Sequence, residues 1–277
     1  MYNPDQSVYE NILTYADELE KLYVIDNSEK YNEGLITQIK SKKNCCYISL
    51  HGNQGIARAL NKAAGLAFRE GYDWLLTMDQ DSCFETEQLI KLKEFVEHRS
   101  EQNMKQIGAL YADAKRYEHV SAKEIQILIK PITSGSFIEL KAWKEVKGFD
   151  DKMFIDGVDH EYCARLRQKG YQAVRVNTIT FNHRIGEQKK KSSSVSYNYP
   201  PIRYYYIIRN KLYLYDKYKA DKKYIKELGS LKEAISHWVS SVRDEKRKGK
   251  KYVAMILGVL DYKMHRMGKC RWIKWLS

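Results

Sequence analysis

Three acidic groups and one histidine stand where the sequence could place chemistry. Asp26 directly follows the apolar run Tyr23-Val24-Ile25. Asp79 and Asp81, separated by Gln80, end the run Trp74-Leu75-Leu76-Thr77-Met78. In extended chain, residues two apart project to one side, so both carboxylates can face one ligand. Paired hard oxygens suit Mg²⁺ or Mn²⁺ shared with a diphosphate. Asp156, Asp159 and Glu161 lie where a helical stretch begins. A helix N-terminus stabilises ionised carboxylates, and an ionised carboxylate beside a metal-diphosphate could take a proton from an attacking hydroxyl. His183 could complete a metal site or touch a phosphate, because neutral imidazole ligates divalent metals. Each has a plainer use. Asp26 could make an Asx turn, Asp159 and Glu161 could be first-turn helix carboxylates, and His183 could be a structural hydrogen-bonder. Asp-x-Asp is a short motif in a chain with 35 acidic residues. Its position after a strongly apolar strand sets it apart.

The elements that carry these groups alternate. Lys21 to Ile25, Cys45 to Leu50, Asp73 to Met78, Ile107 to Tyr111 and Ala173 to Val176 read as strands. Ile125 to Ile129 reads as a hairpin arm, and Ser134 to Ile138 as a tight turn running into a strand. Helices are expected at Ser7 to Leu19 with Asp5 or Ser7 as cap, from Ile56 to Gly71, at Thr86 to His98, at Trp143 to Val146 and at Asp159 to Lys169. In the second of these, Ile56, Leu60, Ala63 and Ala67 recur on one face. The alternation predicts an α/β fold, with an open, mostly parallel sheet flanked by helices. Ligands of such sheets bind past the carboxyl ends of the strands, where Asp26, Asp79 and Asp81 fall.

The 277 residues carry 48 Lys and Arg against 35 Asp and Glu, and the excess is confined to one end. Residues 188–277 hold 23 Lys and Arg and 7 Asp and Glu, a net of +16. Two regions are therefore expected, 1–190 and a basic, aromatic, mainly helical 191–277. The tyrosines and tryptophans among those lysines (Tyr204, Tyr205, Tyr206, Trp272 and Trp275 among them) suit an anionic membrane surface. The same composition could serve nucleic acid, or be a set of solvated helix faces. Five cysteines form no Cys-x-x-Cys pair, which fits a reducing cytosol rather than a disulfide framework or zinc ribbon. The start shows no secretory pattern, and the apolar run Val253 to Leu260 is too short to span a bilayer.

Several runs together resemble family 2 glycosyltransferases of the GT-A fold. They are Tyr2-Asn3-Pro4, Val24 to Ser28, Gly52 to Asn61, Asp73 to Ser82, Ser134 to Phe137, Gly148-Phe149-Asp150, Phe154 to Leu166, His183 and Tyr204 to Asn210, in the family's order over about residues 1–215. The Asp-Gln-Asp-Ser form is most similar to the rhamnosyltransferase branch. The resemblance implies an inverting transferase that moves a sugar from a dTDP- or UDP-sugar to a lipid-linked or polysaccharide acceptor. Rhamnose is the sugar that the branch suggests. With the cysteine usage and the basic aromatic region, the expectation is a cytoplasmic protein held peripherally at the inner face of the cell membrane, with Mg²⁺ or Mn²⁺ as cofactor and no nucleic-acid partner.

The roles it implies are these. Asp26 would bond the pyrimidine base, and Asn53, Arg58 and Asp79 would shape the nucleotide side. Asp81 would ligate the metal, with His183 assisting. Gly135 and Ser136 would lie beside sugar and acceptor. Asp159 would be the general base, with Asp156 and Glu161 as rivals in the same pocket. Arg203, Arg209 and Asn210 would close over the diphosphate. Two departures stand out. Val158 precedes Asp159 where the family carries Glu. The family also places an apolar strand before Tyr-Asn-Pro, and this chain begins at Met1-Tyr2. The expected sheet therefore lacks its first strand, at about 1–3 kcal/mol for each buried backbone group left unpaired. A start lying upstream is the favoured explanation, and an impaired copy the other. Two further readings stay open: a sugar-nucleotide binder without turnover, and a nucleic-acid binder built on the basic region. A nucleotidyltransferase fits poorly, because no glycine-rich phosphate loop follows the first strand.

Overall fold

The computed structural model describes residues 1–98, 106–114, 125–128, 132–183, 189–191, 194–196 and 198–276. It divides into two units, one of residues 1–149 with 162–184, the other of 150–161 with 185–277.

In the first unit, α1 (Gln6–Leu13) begins at Asp5, whose carboxylate accepts from the Ser7 amide. A short 3₁₀ turn at 16–18 follows, so the helix stops earlier than its apolar pattern predicts. β1 (Leu22–Asp26), α2 (Glu33–Ser41) and β2 (Cys45–Ser49) form one parallel crossover, with Leu22 opposite Cys45 and Asp26 opposite Ser49. Then come α3 (Ile56–Arg69), β3 (Trp74–Thr77), β4 (Ser82–Cys83), α4 (Thr86–Glu97), β5 (Ile107–Ala114), β6 (Ile125–Ile127), β7 (Ser136–Glu139), α5 (Leu140–Glu145), α6 (Val158–Gln168) and β8 (Gln172–His183). The division between the units falls inside α6, after Glu161.

The α/β class is as expected, but the sheet is mixed rather than mostly parallel. The larger sheet runs β3–β7–β5–β8–β4, with β6 also on β8. Among the described residues only β5–β8 is parallel within it; β3–β7, β5–β7, β6–β8 and β4–β8 are antiparallel. The segment read as a hairpin arm is β6, and its partner is the distant β8; Ile129 lies outside the described residues.

β1 and β3 share apolar layers on both faces yet no ladder joins them among the described residues. Tyr23 and Leu75 pack with α3, while Val24 and Leu76 enter the main core with Leu89, Leu110, Val176 and Phe181. Beside β1 lies Met1: its carbonyl accepts from the Asn27 amide at 2.8 Å, and its ammonium donates to the Ile25 carbonyl at 2.6 Å.

The second unit holds β9 (Lys189–Lys191) and β10 (Ser194–Ser196), an antiparallel pair, then α7 (Pro201–Lys217), α8 (Lys222–Leu228), α9 (Leu231–Ser241), α10 (Lys248–Lys263) and α11 (Ile273–Leu276). The expected boundary near residue 190 falls at 184/185, and residues 150–161 join the C-terminal unit. Arg209 and Asn210 are the reason. The guanidinium donates to the Met153 and Gly268 carbonyls, and the Asn210 amide to those of Met153, Ile155 and Asp156.

The tyrosine run is core, not membrane face. Tyr204, Tyr205 and Tyr206 are buried, and Tyr206 stacks on Phe154 with centroids 5.1 Å apart. Their hydroxyls reach Glu245, Asp261 and the Cys270 amide, which is why buried phenols are tolerated there.

Candidate active site

β3 stops at Thr77 and the chain turns, with the Ser82 amide donating to the Asp79 carbonyl. Gln80 is directed away from the two aspartates it separates: its side chain brackets the Tyr2 backbone, and its carbonyl accepts from Asn11. The turn delivers Ser82 to β4, where pairing with β8 sets it opposite His183. Ligand atoms of Asp79, Asp81 and His183 then lie within 4.8 Å of one another. His183 Nδ1 is 2.6 Å from Ser82 Oγ and 3.4 Å from Asp81 Oδ1. Ser134 Oγ bonds Ser82 Oγ at 2.8 Å and accepts from the Asp79 amide at 3.0 Å. Backbone and imidazole of the cluster are thus held by two buried hydroxyls. Neither serine stands out by type or spacing in the sequence; pairing across β4 and β8 brings them to the cluster.

Gly135 has φ +70, and a Cβ there would lie 2.6 Å from the Phe181 ring, so the space left by glycine is filled from β8. Ser136 Oγ bonds the Thr133 carbonyl and Thr77 Oγ1, inward from any surface.

Asp26 makes the Asx turn that its position allows, accepting from the Ser28 amide at 2.9 Å, while its other oxygen accepts from Tyr47 at 2.8 Å. Burial holds the Met1 ammonium below its ordinary value, against the opposing charges of Asp26 and Asp79, which both act on it. The Asn53 carboxamide accepts from the Gly55 amide within the loop that starts α3, and Arg58 is exposed on the first turn. Burial, then the Glu29 carboxylate, pushes the Tyr2 phenol up beside Asn53.

In the second unit, Asp159 is half-buried on the first turn of α6, and its Oδ1 accepts from the His160 amide. Its rivals are differently placed. Glu161 is fully buried and accepts from Lys217 Nζ at 2.7 Å and from Tyr218 at 2.8 Å. Asp156 sits at φ +67, pairs with Arg203 at 3.1 Å through one oxygen, and among the described residues has no hydrogen bond on the other. Burial pushes its carboxyl up, opposed by Arg203. The Arg203 side chain is 42% exposed. Arg209 and Asn210, expected over a diphosphate, are buried and donate to backbone carbonyls of 152–156 and 268. A side chain sealed in this way positions the loop before Asp159.

Two carboxylates that follow β3 thus meet an imidazole at the end of β8, in a mixed α/β sheet. Residues 5–169 match the family model Glycosyl transferase family 2, and the chain belongs to that family. It is 25% identical over 290 residues to dTDP-rhamnosyl transferase RfbF of Shigella flexneri, covering 93% of this chain and 95% of that protein. Its fold is that of the mannosyltransferase PcManGT from Pyrobaculum calidifontis, solved with GDP-Man and Mn²⁺ (TM-score 0.61, 12% identity, 96% of this chain and 81% of that one). It is also that of S. aureus TarS 1-349 in complex with UDP-GlcNAc (TM-score 0.55, 14% identity, 95% and 78%). Of the longer S. aureus TarS chain it spans 47%, at TM-score 0.56 and 13% identity. The chain is a rhamnosyltransferase-like family 2 glycosyltransferase.

Proposed function

We propose that this chain transfers a sugar, rhamnose by its likeness to RfbF, from a dTDP- or UDP-linked donor to a hydroxyl of a lipid-linked or polysaccharide acceptor, with inversion. The observation that carries the reading is the convergence of Asp79, Asp81 and His183 beyond β3. Hard oxygens with one imidazole fit Mg²⁺ or Mn²⁺, held by Asp81 and His183 with Asp79 beside them. Such an ion, when bound, neutralises charge on the departing diphosphate.

The chain's own residues do the rest. Asp26, fixed by Tyr47 and Ser28, offers its remaining lone pairs to the base. Asn53 and Arg58 line the nucleotide side, and Asp79 lies by the ribose. The sugar meets the backbone around Gly135 and Ser136. Asp159 accepts the acceptor's hydroxyl proton as that oxygen attacks the anomeric carbon. The bond from that carbon to the diphosphate oxygen breaks, and the nucleoside diphosphate leaves. Arg203, with its exposed surface, is the phosphate contact; Arg209 and Asn210 position the backbone behind it. The acceptor is reached at the inner face of the cell membrane, a placement supported by the basic excess of residues 188–277. Among the described residues no helix is long and apolar enough to cross a membrane.

Calorimetry with dTDP and UDP, with and without Mn²⁺, tests the site on wild type and Asp81→Ala. Metal-dependent binding by wild type alone is expected; equal binding in all cases discards the metal-diphosphate site. The unjoined edges of β1 and β3 favour a second reading, a binder without turnover. Metal-dependent binding with no transfer from any donor would establish it.

A further inference from the structure

We propose that the outward face of α10 is a docking surface for an anionic phospholipid bilayer. The inward face is committed to α7. Ala254, Met255 and Gly258 are buried, and a Cβ on Gly258 would lie 2.6 Å from the Tyr205 carbonyl oxygen. Lys251 and Asp261, on the same side, bond Glu245 and Tyr205. A helix covered on that side should be polar on the other. Instead Val253, Ile256 and Leu260, with Met264 just past the helix, are 39–58% exposed. At about 3.6 residues per turn these four share an arc of roughly 80°. An apolar stripe of this kind marks a binding surface.

The stripe's surroundings identify the partner. Lys250 and Lys263 flank it on the helix. Lys250 Nζ lies 5.6 Å from the ring centroid of Trp275, a tryptophan 51% exposed, and the Arg271 guanidinium is 4.4 Å from that of Trp272. Asp261, itself buried, holds Arg266 and Arg271 at 3.8 and 3.3 Å. Apolar side chains bordered by cations and tryptophan match the interfacial zone of a bilayer whose headgroups are negative. A second copy of the chain would bring the same +16 region to the contact, whereas anionic lipid brings the opposite charge. The proposal rests on the membrane placement above and on nothing about the donor.

The test is co-sedimentation of the full chain with phosphatidylcholine vesicles, with and without phosphatidylglycerol. Wild type should pellet with the anionic vesicles, less so as salt rises. The double variant Ile256→Glu/Leu260→Glu should partition at least about tenfold more weakly, with unchanged circular dichroism and unchanged dTDP binding by calorimetry. Lys250→Glu/Lys263→Glu should lose the preference for anionic lipid. Equal partitioning of the Ile256/Leu260 variant overturns the surface. So does a wild type that ignores anionic vesicles, or one whose stripe mediates only self-association in sedimentation velocity. In each of these cases retained dTDP binding leaves the donor site standing.

Discussion

Ser82 Oγ and His183 Nδ1 meet at 2.6 Å because the β4–β8 ladder sets the two residues opposite each other. The imidazole that completes the Asp79–Asp81 cluster is thus oriented by strand register. Removing the hydroxyl with Ser82→Ala should weaken Mn²⁺ binding by about 10–100-fold, the usual cost of losing a group that orients a ligand. Titration with Mn²⁺ followed by electron paramagnetic resonance checks it, and an unchanged affinity would remove Ser82 from the site.

Asp159→Asn should retain donor binding and lose about 10²–10⁴ in kcat, the range for a missing general base. Asp156→Asn should turn over, since asparagine tolerates its positive φ. Glu161→Gln should turn over as well, but with stability lowered by about 1–3 kcal/mol as Lys217 loses a buried charged partner. Steady-state kinetics beside urea melts separate these outcomes. Turnover by Asp159→Asn moves the base to another acid.

Gly135→Ala should destabilise by about 1–3 kcal/mol, because the new methyl meets the Phe181 ring at a left-handed φ. Adding Phe181→Leu should recover part of the loss. Thermal melts of the single and double variants measure it, and no recovery would locate the strain elsewhere.

Lys251 and Glu245 form a buried pair at 2.7 Å, with Tyr204 and Asn198 completing its bonds. Lys251→Met should cost about 3–5 kcal/mol by stranding the carboxylate, whereas Lys251→Met with Glu245→Leu should cost less. Denaturant midpoints decide, and a double variant weaker than the single would contradict the account.

Acid should loosen the second unit. Burial pushes the carboxyls of Asp150 and Glu245 up, but hydrogen bonds from Tyr213 and Lys217 on one, and from Lys251 and Tyr204 on the other, outweigh it and hold both below their ordinary values of 3.8 and 4.5. Such carboxyls bind fewer protons folded than unfolded. Their stabilisation is complete above the ordinary range and is lost as pH falls through and below it. Burial pulls Lys217 down, yet Glu161 and Asp150 hold it above 10.5, so it stays charged throughout this range and its pairing with Asp150 weakens only as that carboxylate takes up a proton. Tryptophan fluorescence between neutral pH and strong acid reports the loss, and a flat stability profile there would contradict it.

Local pattern alone located β1, β2, β3, α3 and α6, because each is an apolar run or stripe ended by a turn residue. It pointed to Asp79 and Asp81 because they end such a run, but the extended spacing it assumed is absent: β3 stops at Thr77, and a turn brings the two together. It could not show that the sheet is mixed, since strand direction depends on which distant edge accepts each strand. Nor could it separate Asp159 from Glu161, two carboxylates on one helical turn; Lys217 and Tyr218, more than fifty residues on, seal only the second. Arg209 and Asn210 carry the side chains of phosphate contacts, and only packing revealed that their donors go to the carbonyls before Asp159. Side-chain type and spacing are written along the chain. Which donors remain for a ligand is decided by partners that only folding brings near.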